Sequence, residues 1–256
     1  MQNNTFFGHS TPYSIIVLEE IPSTNDYAKQ LLSNFKPQIP FTAILARHQS
    51  QGRGLRGNTW LTKPGENLTV SYVFSPDNLP VNQQFALTVI SSLALYDCIQ
   101  EWTKKPVSIK WPNDILVNKK KIAGMLIENK IRGTNISHAI IGIGCNIYGT
   151  EFPEDIRHKT TSLRLENSDI NLTFIALSTQ IRQRLLHYYQ VYQENFDAVL
   201  ALYNSRLFNR NRAATYEING QQHRGTILDV EQDGLLRVRI QEQIHKFDLK
   251  DIRYLL

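Results

Sequence analysis

Four apolar runs of strand length follow one another between residues 108 and 147: SIKW, ILVN, IAGMLIEN and HAIIGIGCNI. No helix-length pattern separates them. Antiparallel neighbours need only a tight turn, whereas parallel neighbours need a crossover of about a dozen residues or more. Asn118-Lys119-Lys120 stands between two of the runs as a hairpin turn. The chain is therefore expected to form an antiparallel or mixed sheet, which excludes a doubly wound dinucleotide fold.

The rest of the chain extends this plan. SIIVLEEI (14–21) reads as a strand, and Ser23 with Asp26 resembles a capping box. Tyr27, Ala28, Leu31, Leu32 and Phe35 then repeat at helical spacing, with Pro37 and Pro40 closing the element. FTAILAR (41–47) reads as a buried strand, and the alternation of Leu68, Val70, Tyr72 and Phe74 predicts a half-buried one. Helical patterns run from Gln84 to Trp102 and from 172 to about 207. Beyond them TYEI, HRGTILDV, LLRVRI and HKFDL are short β-rich runs punctuated by the turn signals Asn219-Gly220 and Asp233-Gly234. The expectation is an α+β chain in two parts. Residues 1–208 would hold a mixed, largely antiparallel sheet with helices on one face, and 209–256 a small β barrel.

Composition narrows the function classes. In 256 residues, 41% hydrophobic and 20% charged, an ordinary globular core is expected, not a coiled coil or a disordered chain. The net charge of +5 is mildly basic, which by itself does not separate nucleic acid, a membrane surface and an anionic small substrate. Cys98 and Cys145 form no CxxC and no metal spacing, which points to a reducing compartment. The N-terminus lacks a basic region followed by an apolar run, and no stretch is long enough to span a bilayer. A cytoplasmic protein with no membrane partner is expected.

Four places carry candidate chemistry. Gly52, Gly54 and Gly57 alternate with Arg53 and Arg56, giving backbone N–H groups and forked donors suited to phosphate. The spacing is GxGxxG, but the residues after it open no helix, so a mobile loop is expected and not a dinucleotide turn. Lys110-Trp111-Pro112-Asn113-Asp114 presents an amide and a carboxylate at a strand end. Lys121 precedes Gly124, which permits close approach of a ligand, and Gly142, Gly144 and Asn146 interrupt an apolar strand. The seven histidines are scattered and none pairs at i,i+4, so no metal motif is present. This set suits nucleotidyl transfer by positioning and charge stabilisation.

In this order the motifs resemble the catalytic core of biotin–protein ligases. The match comprises STN at 23–25, QxxGRGxRGxxW from Gln49 to Trp60, KWPND at 110–114, KIAGML at 121–126 and GIGCN at 142–146. The C-terminal β module is similar to the family's SH3-like domain. The resemblance implies an ATP-dependent ligase that forms biotinyl-5'-AMP with Mg²⁺ and ATP, then biotinylates a lysine of a carboxylase's biotin carboxyl carrier domain.

It also implies roles. Ser23, Thr24 and Asn25 would lie on the biotin side, with Thr24 and Gln49 facing the ureido ring. Arg53, Gly54, the Leu55 backbone and Gly124 would lie along biotin. Lys121 would bind its carboxylate and the α-phosphate. Gly52, Gly54, Arg56, Gly57, Lys110, Asn113 and Asn146 would serve the nucleotide, with Trp60 covering adenine. Asp114 would face the incoming amine, so Lys121, Arg53 and Asp114 form the catalytic set. Many members carry arginine where this chain has Leu55, a departure that would either pass the phosphate contact to Arg56 or loosen retention of the intermediate.

Some members bear an N-terminal helix-turn-helix. Here 22 residues precede Ser23, too few for one, so no specific DNA partner is expected. A homodimer is left open. A lipoate–protein ligase or octanoyltransferase would lack KWPND and the arginine loop. A nucleic-acid-binding module would need exposed aromatics interleaved with basic residues, and the C-terminal segment has no such run.

Overall fold

The computed structural model describes residues 5–6, 15–34 and 39–255. Its larger sheet has eight strands: β1 (Thr5–Phe6), β2 (Ile15–Ile21), β3 (Thr42–Gln49), β4 (Asn67–Phe74), β5 (Val107–Lys110), β6 (Asp114–Val117), β7 (Lys120–Arg132) and β8 (Asn135–Asn146). Their spatial order is β1-β2-β3-β4-β8-β7-β6-β5. β2 and β3 are parallel, joined by the crossover that contains helix α1 (Thr24–Asn34), and the other ladders of this sheet are antiparallel. The four runs that opened the sequence reading are the meander β5–β8. Its first expected turn is present, with Asn118 and Lys119 at φ 49° and 68°, the left-handed pair that suits the twist of a two-residue hairpin.

Ser23 caps α1 only in part. Its Oγ accepts from Asp26 N at 3.4 Å, but the Asp26 carboxylate turns outward to Arg53 and does not return to the cap. The helix end expected near Phe35 and Pro37 lies outside the described residues.

The helices do not share one face, as the sequence reading had expected. In β3, Ala43 and Leu45 enter the main core, whereas Ile44 and Ala46 enter a second cluster with Ala28 of α1. The main core takes α2 (Phe85–Trp102), α3 (Leu163–Glu166), α4 (Phe174–Glu194) and α5 (Phe196–Ser205). A strand with helices on both faces has no solvent side. Hence β4, expected to be half-buried, is buried at every position. Its alternation remains real but separates apolar from polar inside the protein: Thr69 and Ser71 lie on the α1 side. The helical pattern from 172 to 207 breaks at Asn195, whose extended backbone ends α4 and whose side chain accepts from Ala198 N to cap α5.

The last strands, β9 (Ala213–Ile218), β10 (Gln221–Val230), β11 (Leu236–Ile240), β12 (Gln243–Phe247) and β13 (Ile252–Tyr254), form an antiparallel sheet ordered β12-β11-β10-β9-β13. No ladder joins β12 to β13 among the described residues, so the expected barrel is an open five-stranded sheet. Asn219 and Gly220 turn β9 into β10 at φ 51° and 77°. The sheet docks through side chains. Asn204 exchanges two hydrogen bonds with the Val230 backbone at 3.0 and 2.8 Å, and Trp111 Nε1 donates to Gly234 O at 3.0 Å. Tyr216, Ile227 and Val238 join the main core, so apolar packing is continuous from one sheet to the other.

Candidate active site

One cavity of about 540 Å³ opens between the α1 N-terminus, the loop after β3, the β5–β6 turn and the end of the second sheet. Its two ends differ in chemistry. At the first, Ser23, Thr24 and Asn25 are buried and neutral. Gln49 Oε1 accepts from both Thr24 N (2.8 Å) and Thr24 Oγ1 (2.9 Å). Ser71 Oγ lies 2.7 Å from Thr24 Oγ1 and 2.6 Å from Asn25 Oδ1. Asn25 Nδ2 donates to Leu126 O and to the Glu128 carboxylate at 3.2 and 2.7 Å. Hydroxyl and amide orientations here are fixed by neighbours, which favours a neutral, polar, rigid ligand group.

At the second end, Lys121 Nζ lies 2.6 Å from Asp114 Oδ1, and Lys110 Nζ lies 3.8 Å from Asp114 Oδ2. A bulge in β7 produces this meeting. Ile115 pairs with Ala123 but Leu116 pairs with Lys121, so one extra residue re-aims Lys121 onto the face of Asp114 and Gly124. A Cβ on Gly124 would stand 3.0 Å from Lys121 Nζ, so the glycine leaves room for the ammonium to lie over the strand. The segment after β8 clamps the same place, with Lys121 N donating to Lys159 O and Thr161 N to Lys121 O. Burial pushes the Lys110 pKa below its ordinary value, opposed by Asp114 and reinforced by the Lys121 and Lys159 charges. Two lysines against one carboxylate leave an excess of positive charge, suited to an anion.

A model of the biotin/lipoate A/B protein ligase family matches residues 17–146, just over half of the chain. The chain belongs to that family. It is 29% identical over 250 residues to the bifunctional ligase/repressor BirA of Bacillus subtilis, covering 93% of this chain and 73% of the relative. Over 138 residues it is 37% identical to the biotin--[acetyl-CoA-carboxylase] ligase of Paracoccus denitrificans, covering 52% and 54%. Among solved structures, the biotin protein ligase from Aquifex aeolicus in complex with biotin and ATP superposes with a TM-score of 0.76 at 22% identity, covering 95% and 98%. That likeness is one of fold.

Within this family member the motif residues fall into distinct places. Arg53, Gly54, Leu55, Trp60, Asn113 and Gly124 line the cavity with the residues above. Arg53 points to carboxylates, 2.6 Å from Asp26 and 3.1 Å from Glu128. Asn113 donates to Met125 O at 2.6 Å. Gly52 lies behind the cavity, where a Cβ would strike Trp60 O at 2.3 Å, and Gly57 is an exposed turn at φ 76°. The side chain of Arg56 lies outside the described residues. Asn146 is buried away from the lining, accepting from Asn67 and donating to Thr161 O, so it braces the clamp behind Lys121.

The two strand glycines admit neighbouring side chains. A Cβ on Gly142 would stand 2.3 Å from Asn25 Oδ1, and one on Gly144 2.3 Å from Trp60 Cε2. The Trp60 indole thus lies on the sheet, with its ring 5.6 Å from Lys121 Nζ and its buried Nε1 without a hydrogen-bond partner among the described residues. Sequence reasoning missed Ser71, whose place in an alternating strand was the available signal. It also missed the wall built by Glu217, Asn219, Lys250, Asp251, Arg253 and Tyr254.

Proposed function

We propose that this chain is a biotin–protein ligase: it activates biotin with ATP to biotinyl-5'-AMP, then passes the biotinyl group to a lysine of the carrier domain of a biotin-dependent carboxylase. The observation that carries the reading is the polarity of the cavity. Its neutral end offers buried, oriented amides and hydroxyls to a ureido ring, and its charged end offers lysines to a carboxylate and a phosphate. The relative named as a biotin--[acetyl-CoA-carboxylase] ligase supports the same assignment.

In the first step the biotin carboxylate attacks the α-phosphorus and pyrophosphate leaves. Lys121 neutralises charge growing on the phosphate oxygens, a fixed cation needing no reorganisation as the reaction proceeds. In the second step the acceptor amine attacks the acyl carbon and AMP leaves, with Asp114 facing the amine. Trp60 on Gly144 covers the adenine side, and the loop from Gly52 to Trp60 keeps water from the anhydride. Gly52, Gly57 and Asn146 act on the nucleotide through the loop and the clamp, outside the cavity wall, and Arg56 serves its phosphate. Mg²⁺ fits as an ion carried in on the nucleotide. No group of three or more His, Cys, Asp or Glu is placed to hold a metal among the described residues, and Asp114 is the carboxylate beside Lys121. Residues 209–256 act as an SH3-like module that walls the nucleotide end.

The test is pyrophosphate release from ATP, with biotin, lipoate or octanoate as the acid, followed by mass gain on a carrier domain. Biotin-dependent release is expected, and equal release with lipoate or octanoate overturns the assignment. No helix of the described residues is long and apolar enough to cross a membrane.

A further inference from the structure

Glu128 lies on β7 outside the cavity wall, yet three groups from two segments, α1 and the loop after β3, converge on its carboxylate. Asn25 Nδ2 donates to Oε2 at 2.7 Å, Lys29 Nζ lies 2.7 Å from Oε1, and Arg53 Nη2 lies 3.1 Å from Oε2. Asp26 holds the same Arg53 nitrogen at 2.6 Å. Lys29 and Asp26 are 45% exposed, and pairs of that kind contribute little. The Asn25 contact differs: this side chain is 4% exposed, and it forms part of the neutral end of the cavity.

We infer that Glu128 is a positioning residue for biotin, using one carboxylate to orient the Asn25 amide in the cavity floor and to tether the loop through Arg53. The inference rests on the ligase reading above. A carboxylate is required because it accepts on every side. It receives an amide, an ammonium and a guanidinium together, and a glutamine would turn an NH₂ toward one of those donors. Its bonds are charge-assisted, the stronger kind. Asn25 is thereby left one orientation: Oδ1 meets Ser71, Nδ2 meets Glu128 and Leu126 O, and the missing Cβ of Gly142 supplies the space. Loop and floor then answer to one group. Closing Arg53 onto the sheet and fixing the floor amide are a single event.

The experiment is steady-state pyrophosphate release by the full chain, comparing wild type with Glu128→Gln, Asn25→Ala and the double variant. Losing a charge-assisted bond should raise the KM for biotin about tenfold in Glu128→Gln. The KM for ATP and kcat at saturating biotin should stay within about twofold, because the lost contact serves binding. Trypsin cleavage after Arg53 in the biotin-bound enzyme should quicken. The double variant should fall well short of the product of the two single effects, since Glu128 acts partly through Asn25. A Glu128→Gln chain with lowered thermal stability but wild-type KM for biotin overturns the inference and leaves the ligase reading standing. So does strict multiplicativity in the double variant. A wild-type chain without biotin-dependent release overturns the ligase reading, and the inference with it. Should Glu128→Gln fail to fold, Glu128→Asp keeps the charge but withdraws it by one methylene. A raised biotin KM in that variant supports the inference, and an unchanged one overturns it.

Discussion

The neutral and charged ends of the cavity are built on opposite plans. At the neutral end Ser23, Thr24 and Asn25 are almost wholly buried, and Thr24 and Asn25 are tied by several partners each. At the charged end Lys121 remains 37% exposed and Lys110 25%, and two ammonium groups share one carboxylate. A buried, mutually satisfied network resists rearrangement and suits recognition of a fixed shape. An unbalanced, accessible charge suits a phosphate that arrives, reacts and leaves. The first end should therefore govern how tightly biotin is held, and the second how fast it is adenylated.

The largest expected effect lies at the charged end. Lys121→Ala should lower the adenylation rate about 100-fold or more, as for removal of one preorganised group from a developing anion. Its effect on folding should be small, within about 0.5 kcal/mol, because partly exposed lysines contribute little to stability. Single-turnover pyrophosphate release and urea unfolding measure the two separately. A rate close to wild type would remove Lys121 from the chemistry and erase the contrast between the ends.

Two glycines on one strand sharpen it. A Cβ at position 142 collides with Asn25, which is short and pinned, whereas one at 144 collides with Trp60. Gly142→Ala should raise the KM for biotin, and Gly144→Ala the KM for ATP, each about tenfold if one good contact is lost. Equal shifts for both substrates in both variants would mean that the cavity responds as a whole.

Much of this site was legible because its motifs are local. Three consecutive residues at a helix start, a glycine–arginine loop and a strand ending in Pro-Asn-Asp each keep their meaning over a few positions. What was not legible depends on contacts distant in sequence. The period of α1 marks an apolar stripe but not which face of the sheet receives it, so α1 was placed with the other helices. The alternation of Leu68, Val70, Tyr72 and Phe74 likewise marks two faces of β4 but not that both are covered, so Ser71, an interior polar position, resembles a solvent face. Asn219-Gly220 was read correctly as a turn, but nothing near it in sequence tells that the turn walls a cavity facing Lys121. Glu128 escaped for the same reason: its partners lie 75 to 103 residues away.

The smallest effect is a difference in pH dependence between the ends. Burial acts to raise the Glu128 pKa, but hydrogen bonds from Lys29 and Asn25 and the Arg53 charge outweigh it, leaving the carboxyl below its ordinary 4.5. A depressed carboxyl stabilises the fold above its unfolded pKa and loses that contribution as pH falls through the folded one. Lys110 is also lowered, from 10.5, but by burial of a cation. Between its folded pKa and 10.5 the unfolded chain binds more protons at this site, so stability gains with rising pH there. Urea unfolding across pH should therefore show stability rising with pH at both ends, but in two separate windows. The stability lost in Glu128→Gln relative to wild type should shrink below about pH 4.5, whereas Lys110→Met should remove part of an alkaline rise below about pH 10.5. If the Glu128→Gln difference is independent of pH, the ionic ties to Arg53 and Lys29 contribute nothing, and the neutral end is held by its amides and hydroxyls alone.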